Sequence, residues 1–444
     1  MGLLYMEKEN ELLYGDPGKH LIRLAAPLIV GNILQQFYNT FDVFVVGRFA
    51  GQNEYAALGV AGSLMNLFLF VLAGMCTGML VLLARSWGAG NMADFRRQHA
   101  ASLQGGLGTV LVLSVLGLCF LRPLLAAMRT PVDILPGAEV YLRIILIGLP
   151  ASLLYNLYAN LLRAIGQTRV PTAALAVAVL LNLGLDLLLV GSFHIGVAGA
   201  ALATVFSQLV AAGVCIARLV RHERALLINR EDLKPDLPRI RRTLSLSFVT
   251  ALHQCSIYLG KLLVQGTVNA QGLDLIAAYT TTGRIEGFAN SFGDSSAAAT
   301  SILVAQSYGA GDRERVQTCF RRSLQILLLF GVIISLILFF TAAPAVRLLL
   351  GTREGEAFQN TVRYLRLIVC FFPLCFTGNT FAGTFEGLGK AKIPFIGAAS
   401  HLTIRVILSM LLISAMKLPA VALATGIGWL YVNILWAILY KKQK

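Results

Sequence analysis

ARSWGAGN at residues 84–91 returns as AQSYGAGD at 305–312, and YLRIILIGLP at 141–150 returns as YLRLIVCFFP at 364–373. The first pair lies 221 residues apart and the second 223. Register holds onward through Asn156 and Asn379, Gly166 and Gly389, and Pro171 and Pro394. One half of the chain is therefore a copy of the other. The copies lie in a chain of 444 residues that is 57% hydrophobic, with mean hydropathy +0.72. A duplicated bundle of membrane helices follows, the architecture of many secondary transporters.

Charged residues make up 13% of the chain, against about 25% in a soluble protein. Apolar runs long enough for a bilayer fall at 24–47, 57–83, 98–121, 138–162, 171–191, 196–217, 244–268, 275–304, 319–343, 361–385, 393–415 and 418–440. The expected fold is an all-α membrane protein with twelve transmembrane helices in two pseudo-symmetric six-helix lobes. The N-terminal lobe takes 1–217, a cytoplasmic linker 218–243 and the C-terminal lobe 244–444. Six spans per lobe is an even number, so the lobes share orientation about an axis along the membrane normal.

The net charge of +15 and a set of 37 Lys and Arg would also suit nucleic acid, but their placement argues otherwise. With both termini cytoplasmic, one side of the membrane keeps only Arg48, Arg122, Arg129, Arg347, Arg353 and Lys417, and most of the rest crowd the other. That is the positive-inside pattern of a multi-pass protein of the plasma (inner) membrane, and nucleic-acid binding is not expected. The polar, mixed-charge first 20 residues do not read as a signal peptide. The seven cysteines form no C-x-x-C pair and read as buried apolar residues. Each S-x-G-A-G copy (86–90 and 307–311) should end a helix through its glycines and lead into a basic stretch at the inner surface.

Acids inside a span cost roughly 2.5 to 3.5 kcal/mol each and need a reason. On the first span Asn32, Gln35, Asn39 and Asp42 recur at helical spacing as one polar stripe, beyond a kink expected at Pro27. On the fifth span Asn182 and Asp186 are i, i+4; the fourth offers Asn156 and the sixth Thr204. Asp42 and Asp186, backed by Asn182, Thr204, Gln35 and Asn156, could meet as a carboxylate pair that takes up a proton or a small hard cation. The second copy does not reproduce the site: aligning Gln35 with Gln254 sets Lys261 opposite Asp42. Its eighth span carries Glu286 and Asp294, a possible second acidic locus, with Arg284 read as the partner of Glu286. His253 reads as a hydrogen-bonded core histidine and Glu386 as a surface charge. H-E-x-x-H, G-x-S-x-G and Walker A motifs are all missing from the sequence, so neither an enzyme nor an ATP-driven pump is expected.

The segment PLIVGNILQQFYNTFDVFVVGRFAG (27–51), the two S-x-G-A-G turns and the paired IGQTRVP and LGKAKIP ends resemble the multidrug and toxic compound extrusion (MATE) family along essentially the whole chain. The resemblance implies lobes that alternate between inward and outward openings. It also implies export of amphipathic, often cationic, drug-like compounds in exchange for H+ or Na+, without a further cofactor. In the branch with acids in the first lobe it assigns coupling to positions matched here by Asp42, Asn182, Asp186 and Thr204, the Na+ ligands if sodium is the ion, with Gln35 as accessory. Another branch uses a Glu on the seventh span, which this chain lacks. A monomer in the lipid bilayer is expected. Two other readings compete: a lipid-linked oligosaccharide flippase, for which only Lys261, Arg284 and Arg405 could meet a pyrophosphate, and a non-transporting membrane scaffold, which would leave the buried acids unexplained.

Overall fold

The computed structural model describes residues 11–350 and 354–442, without the side chains of Asn39 and Leu273. Arg353 and the Asn39 side chain therefore lie outside the described residues. The chain is nearly all helix. Its first half holds α1 (Pro17–Phe49), α2 (Gln52–Gly88), α3 (Met92–Cys119), the short α4 (Leu121–Ala127), α5 (Leu135–Ala164), α6 (Arg169–Asp186) and α7 (Val197–His222). Its second half holds α8 (Leu237–Asn269), α9 (Leu273–Gly309), α10 (Arg313–Leu350), α11 (Glu356–Val369), α12 (Phe372–Gly387), α13 (Lys392–Met416) and α14 (Leu418–Lys441). Leaving out α4 and joining α11 to α12 across their 50° bend, these are the twelve spans of the sequence. Among the described residues, α1, α8 and α9 fall outside the set apolar enough to span by composition alone. They carry interior charges such as Asp42, Lys261, Glu286 and Asp294.

The repeat is visible at the level of hydrogen bonds. Helix α2 ends at Gly88 and α9 at Gly309, and in each copy the second glycine, Gly90 or Gly311, takes a left-handed φ of 68° or 78°. Ala89 N–H donates to Arg85 O and Gly90 N–H to Trp87 O; Ala310 and Gly311 repeat this onto Gln306 and Tyr308. Only glycine takes that φ without strain, so the S-x-G-A-G signature is a helix stop used twice.

Proline chemistry is repeated too. Pro150 in α5 and Pro373 at the start of α12 lack the N–H that would bond the carbonyl four residues back. Those carbonyls are Leu146 O and Val369 O, and each accepts a serine hydroxyl from the preceding long helix, Ser114 at 2.7 Å and Ser335 at 2.6 Å. In lipid an orphaned carbonyl is costly and must find a donor. Ser114→Ala or Ser335→Ala should each cost about 1–3 kcal/mol, read as an earlier thermal or urea transition of the detergent-solubilised protein. The corresponding Ser→Thr variants should keep most of the stability.

The chain divides into two compact units, Val30–Ala251 on one hand and Glu11–Ile29 with the residues from Leu252 onward on the other. The division falls inside α1 and α8, and not in the 218–243 segment expected to separate the lobes. Local bonding explains both displacements. Arg315 at the start of α10 holds the turn before α1, donating to Leu12 O at 2.6 Å, Tyr14 O at 3.0 Å and Gly15 O at 3.3 Å. In the other unit the linker and the first turns of α8 are tied to α3. Arg96 bonds Asp232 at 3.2 Å, Arg239 pairs with Asp94 at 2.8 Å, and Gln98 donates to Thr243 at 2.9 Å. Asp236 starts α8 by accepting the Arg239 N–H at 3.1 Å. That bond, with the Arg239 guanidinium beside it, holds the Asp236 carboxyl below its ordinary range.

The first unit packs α5 against α2 and α7 around Leu72, Met79, Tyr141, Leu146 and Leu153, all under 2% exposed. Gly74 and Gly78 of α2, a G-x-x-x-G pair, let the backbone of α8 approach so closely that a Cβ would lie 2.6 Å from Ala251 Cα or 2.7 Å from Ser247 Cα. In the second unit Gly383 and Gly387 of α12 do the same against α9, where a Cβ would lie 2.3 Å from Ala297 O or 2.6 Å from Ser301 O. Small residues at such spacing are how membrane helices gain van der Waals contact without a hydrophobic driving force between them.

Candidate functional site

The polar stripe of α1 turns inward where its acid sits. Asp42 is 6% exposed and Tyr38, one turn earlier, 3%. Helix α6 brings Asn182 and Asp186, one turn apart and fully buried, and α7 brings Thr204. Asp42 lies within side-chain reach of Asp186, Asn182 and Thr204, and Tyr38 within reach of Thr204. All of these residues belong to the first unit.

Asp186 is the last residue of α6, where the α-helix passes into a single π-helical stretch, Leu187–Ser192. A π-turn inserts a residue into the helical register and is met disproportionately at functional sites. Here it follows directly on the acid.

The bonding of this cluster is incomplete. One Asp42 carboxylate oxygen, both Asp186 carboxylate oxygens, the Asn182 amide oxygen and nitrogen, and the hydroxyls of Thr204 and Tyr38 are buried without a hydrogen-bond partner. Buried polar atoms are ordinarily satisfied, and a concentration of orphans points to a bound ion, water or proton. Among the described residues no basic side chain is among the charges felt by either carboxylate. Carboxylate, amide and hydroxyl oxygens are the donor set that a hard cation prefers, so the residues fit a sodium ion as well as a proton. Asp42, Asn182, Asp186 and Thr204 would be the ligands.

Other expected positions fall elsewhere. Gln35 is half-buried and is not among the groups that reach Asp42. Asn156 donates to Ser152 O in its own helix at 2.8 Å. Two residues that the sequence reading passed over join the cluster. Tyr38 lies on the Asp42 face at i−4, a spacing that could have marked it, and the fully buried Tyr141 feels both acids electrostatically.

In the second unit two readings need correction. Glu286 takes its positive neighbour from Arg405 of α13 and not from Arg284, because residues two apart point to different sides of a helix. Glu386 is buried, 9% exposed, and its carboxylate lies 3.1 Å from Nδ1 of His253, itself 8% exposed. It is not a surface charge.

The MatE family model matches the chain twice, over residues 27–188 and 250–411. The chain belongs to the MATE family. The two matches begin and end at the offset that separates Tyr141 from Tyr364, so the family unit is the repeat itself. This MATE protein is 26% identical to the probable multidrug resistance protein YoeA of Bacillus subtilis (strain 168), over 83% of this chain and 81% of that protein. It is likewise 26% identical to the probable multidrug resistance protein NorM of Thermotoga maritima, over 85% of this chain and 82% of that one. Its fold is that of a MATE crystal structure in the bent conformation, with TM-score 0.90 at 22% identity over 98% of this chain and 96% of the other. The MATE chain is thus a multi-pass membrane transporter with twelve helices in two lobes.

Proposed function

We propose that this MATE protein is a secondary multidrug efflux antiporter that exports amphipathic, often cationic compounds against entry of H+ or Na+, with Asp42 and Asp186 as the coupling acids. One observation carries the reading. Two carboxylates meet inside a lobe among unpartnered oxygens, with no basic side chain among the described residues to neutralise them. Like charges this close do not both persist unless a positive charge sits between them, whether a shared proton or a metal ion. The names of YoeA and NorM as multidrug resistance proteins support drug-like cargo.

Asn182 and Thr204 would orient the pair, and Tyr38 would close the cluster on the α1 side. Entry of the ion would neutralise the acids and favour one arrangement of α1. Pro27, two residues before the unit division at Ile29, is the proposed hinge. Ion and drug would then compete through conformation, and antiport follows from reciprocal linkage. The distribution of Lys and Arg supports cytoplasmic termini, and the working form is proposed to be a monomer.

The test is efflux of a panel of cationic dyes from proteoliposomes with an imposed proton or sodium gradient. Transport driven by one of the two gradients names the ion. Equal transport under both and under neither would remove the antiporter reading. The flippase alternative has less to stand on, because the cations it needs share their lobe with acids: Glu286 feels both Arg405 and Lys261.

A further inference from the structure

The second unit holds a ladder of charges that the coupling site does not use. His253 and Lys261 are eight residues apart on α8, and Glu286, Asn290 and Asp294 recur every four on α9, so each set shares a helix face. The electrostatic neighbours of Asp294 are Lys261, His253 and Glu386, and those of Glu286 include Arg405 and Lys261. Lys261 is therefore shared between the two acids.

Most of these charges are answered within the lobe. Glu386 has His253 at 3.1 Å. Arg405, 8% exposed, donates to the Tyr279 hydroxyl at 3.1 Å and lies beside Glu286. Two charges remain. Among the described residues neither Lys261 nor Asp294 closes an ion pair, and both are exposed, with Lys261 among the charges that Asp294 feels. Charges at bilayer depth are tolerated where they face water or protein, not lipid. The backbone before Asp294 runs beside α12: a Cβ on Gly293 would lie 2.3 Å from the side-chain Nδ2 of Asn379. Beside Asp294, Asn290 Oδ1 and Glu286 Oε1 are buried acceptors without a donor.

We infer that Lys261 and Asp294 form a dipolar recognition site for zwitterionic solutes, Lys261 receiving the carboxylate and Asp294, with Asn290 Oδ1, receiving the amine. A monocation leaves Lys261 opposed to it, and a polyanion meets Glu286 and Asp294. A solute carrying both charges satisfies both ends. Repeat offsets of 221 to 223 set Leu263, Val264 or Gln265 opposite Asp42, so the second copy lacks that acid, and the cation Lys261 stands two to four residues before them on the same helix. The inference rests on the efflux reading above and names a cargo class for it.

The experiment measures equilibrium binding to the full-length protein in nanodiscs, with no gradient, using three forms of one amphipathic aromatic amino acid. These are the zwitterion, its methyl ester as cation and its N-acetyl derivative as anion. Wild type should favour the zwitterion by about tenfold over either derivative, a difference of about 1.4 kcal/mol. Lys261→Gln should remove the preference of the zwitterion over the ester, with the ester binding at least as tightly as to wild type. Asp294→Asn should bring it down to that of the N-acetyl form. The exchanged variant Lys261→Asp with Asp294→Lys should recover the preference, which guards against a folding defect in either single variant. Equal binding of the three forms by wild type, or a parallel loss of zwitterion and ester in Lys261→Gln, overturns the inference. These binding ratios are read without a gradient and the coupling proposal is read from gradient-driven efflux, so failure of one and failure of the other are distinguished.

Discussion

Asp42→Asn is expected to give a folded, membrane-inserted protein that no longer couples efflux to an ion gradient. The asparagine keeps the shape of the side chain and its reach toward Asp186, Asn182 and Thr204, but removes one of the two charges that call for a cation between them. Coupling free energies of this kind run to about 1–3 kcal/mol, or about 5–150-fold. Gradient-driven dye efflux in proteoliposomes should fall by about that factor, toward the rate without a gradient. Equilibrium dye binding should stop responding to proton or sodium concentration, while the melting transition stays close to wild type. Asp186→Asn should behave in the same way, since the pair and not either acid is the unit. Efflux at the wild-type rate in Asp42→Asn, with its ion dependence intact, would move the coupling acid elsewhere, with Asp294 next in line.

The largest loss of stability is expected at the glycine seams. Gly383→Val would set a Cβ 2.3 Å from the backbone oxygen of Ala297, which cannot move aside as a flexible side chain can, so α12 and α9 must separate. Overpacking of a tight interface costs about 1–3 kcal/mol and sometimes more. The dispersion contact that membrane helices rely on would be lost along with it. Gly74→Val, against Ala251 Cα, should behave alike in the first unit. Gly213→Ala is the control, because a Cβ there meets nothing within 4 Å. Thermal unfolding in detergent reads the outcome: a valine variant at Gly383 that melts with wild type would show that the seam does not hold the second unit together.

The corrections in the second unit show where pattern reading runs out. Spacing along one helix says which residues share a face, and it placed Asp42, Asn182 and Asp186 on inward stripes. It does not say what lies opposite. Arg405, more than a hundred residues beyond Glu286, is that acid's neighbour, and His253 reaches Glu386 across 133 residues. No periodicity carries information of that kind. The G-x-x-x-G pairs at 74–78 and 383–387 stand in the sequence, yet glycines are frequent in membrane helices, and only the approach of a neighbouring backbone singles these out.

The sequence by itself determined the all-helical membrane class, the duplication, the spans and the glycine stops. Each of these follows from local chemistry: the length of an apolar run, the φ that glycine alone tolerates, and motifs that recur at a constant offset. Tertiary structure alone decided that the compact units divide within α1 and α8. It also decided that serine hydroxyls from neighbouring helices answer the carbonyls freed by Pro150 and Pro373. The oxygens of three helices gather around Asp42 for the same kind of reason, because which buried polar atoms meet depends on how helices distant in sequence pack together.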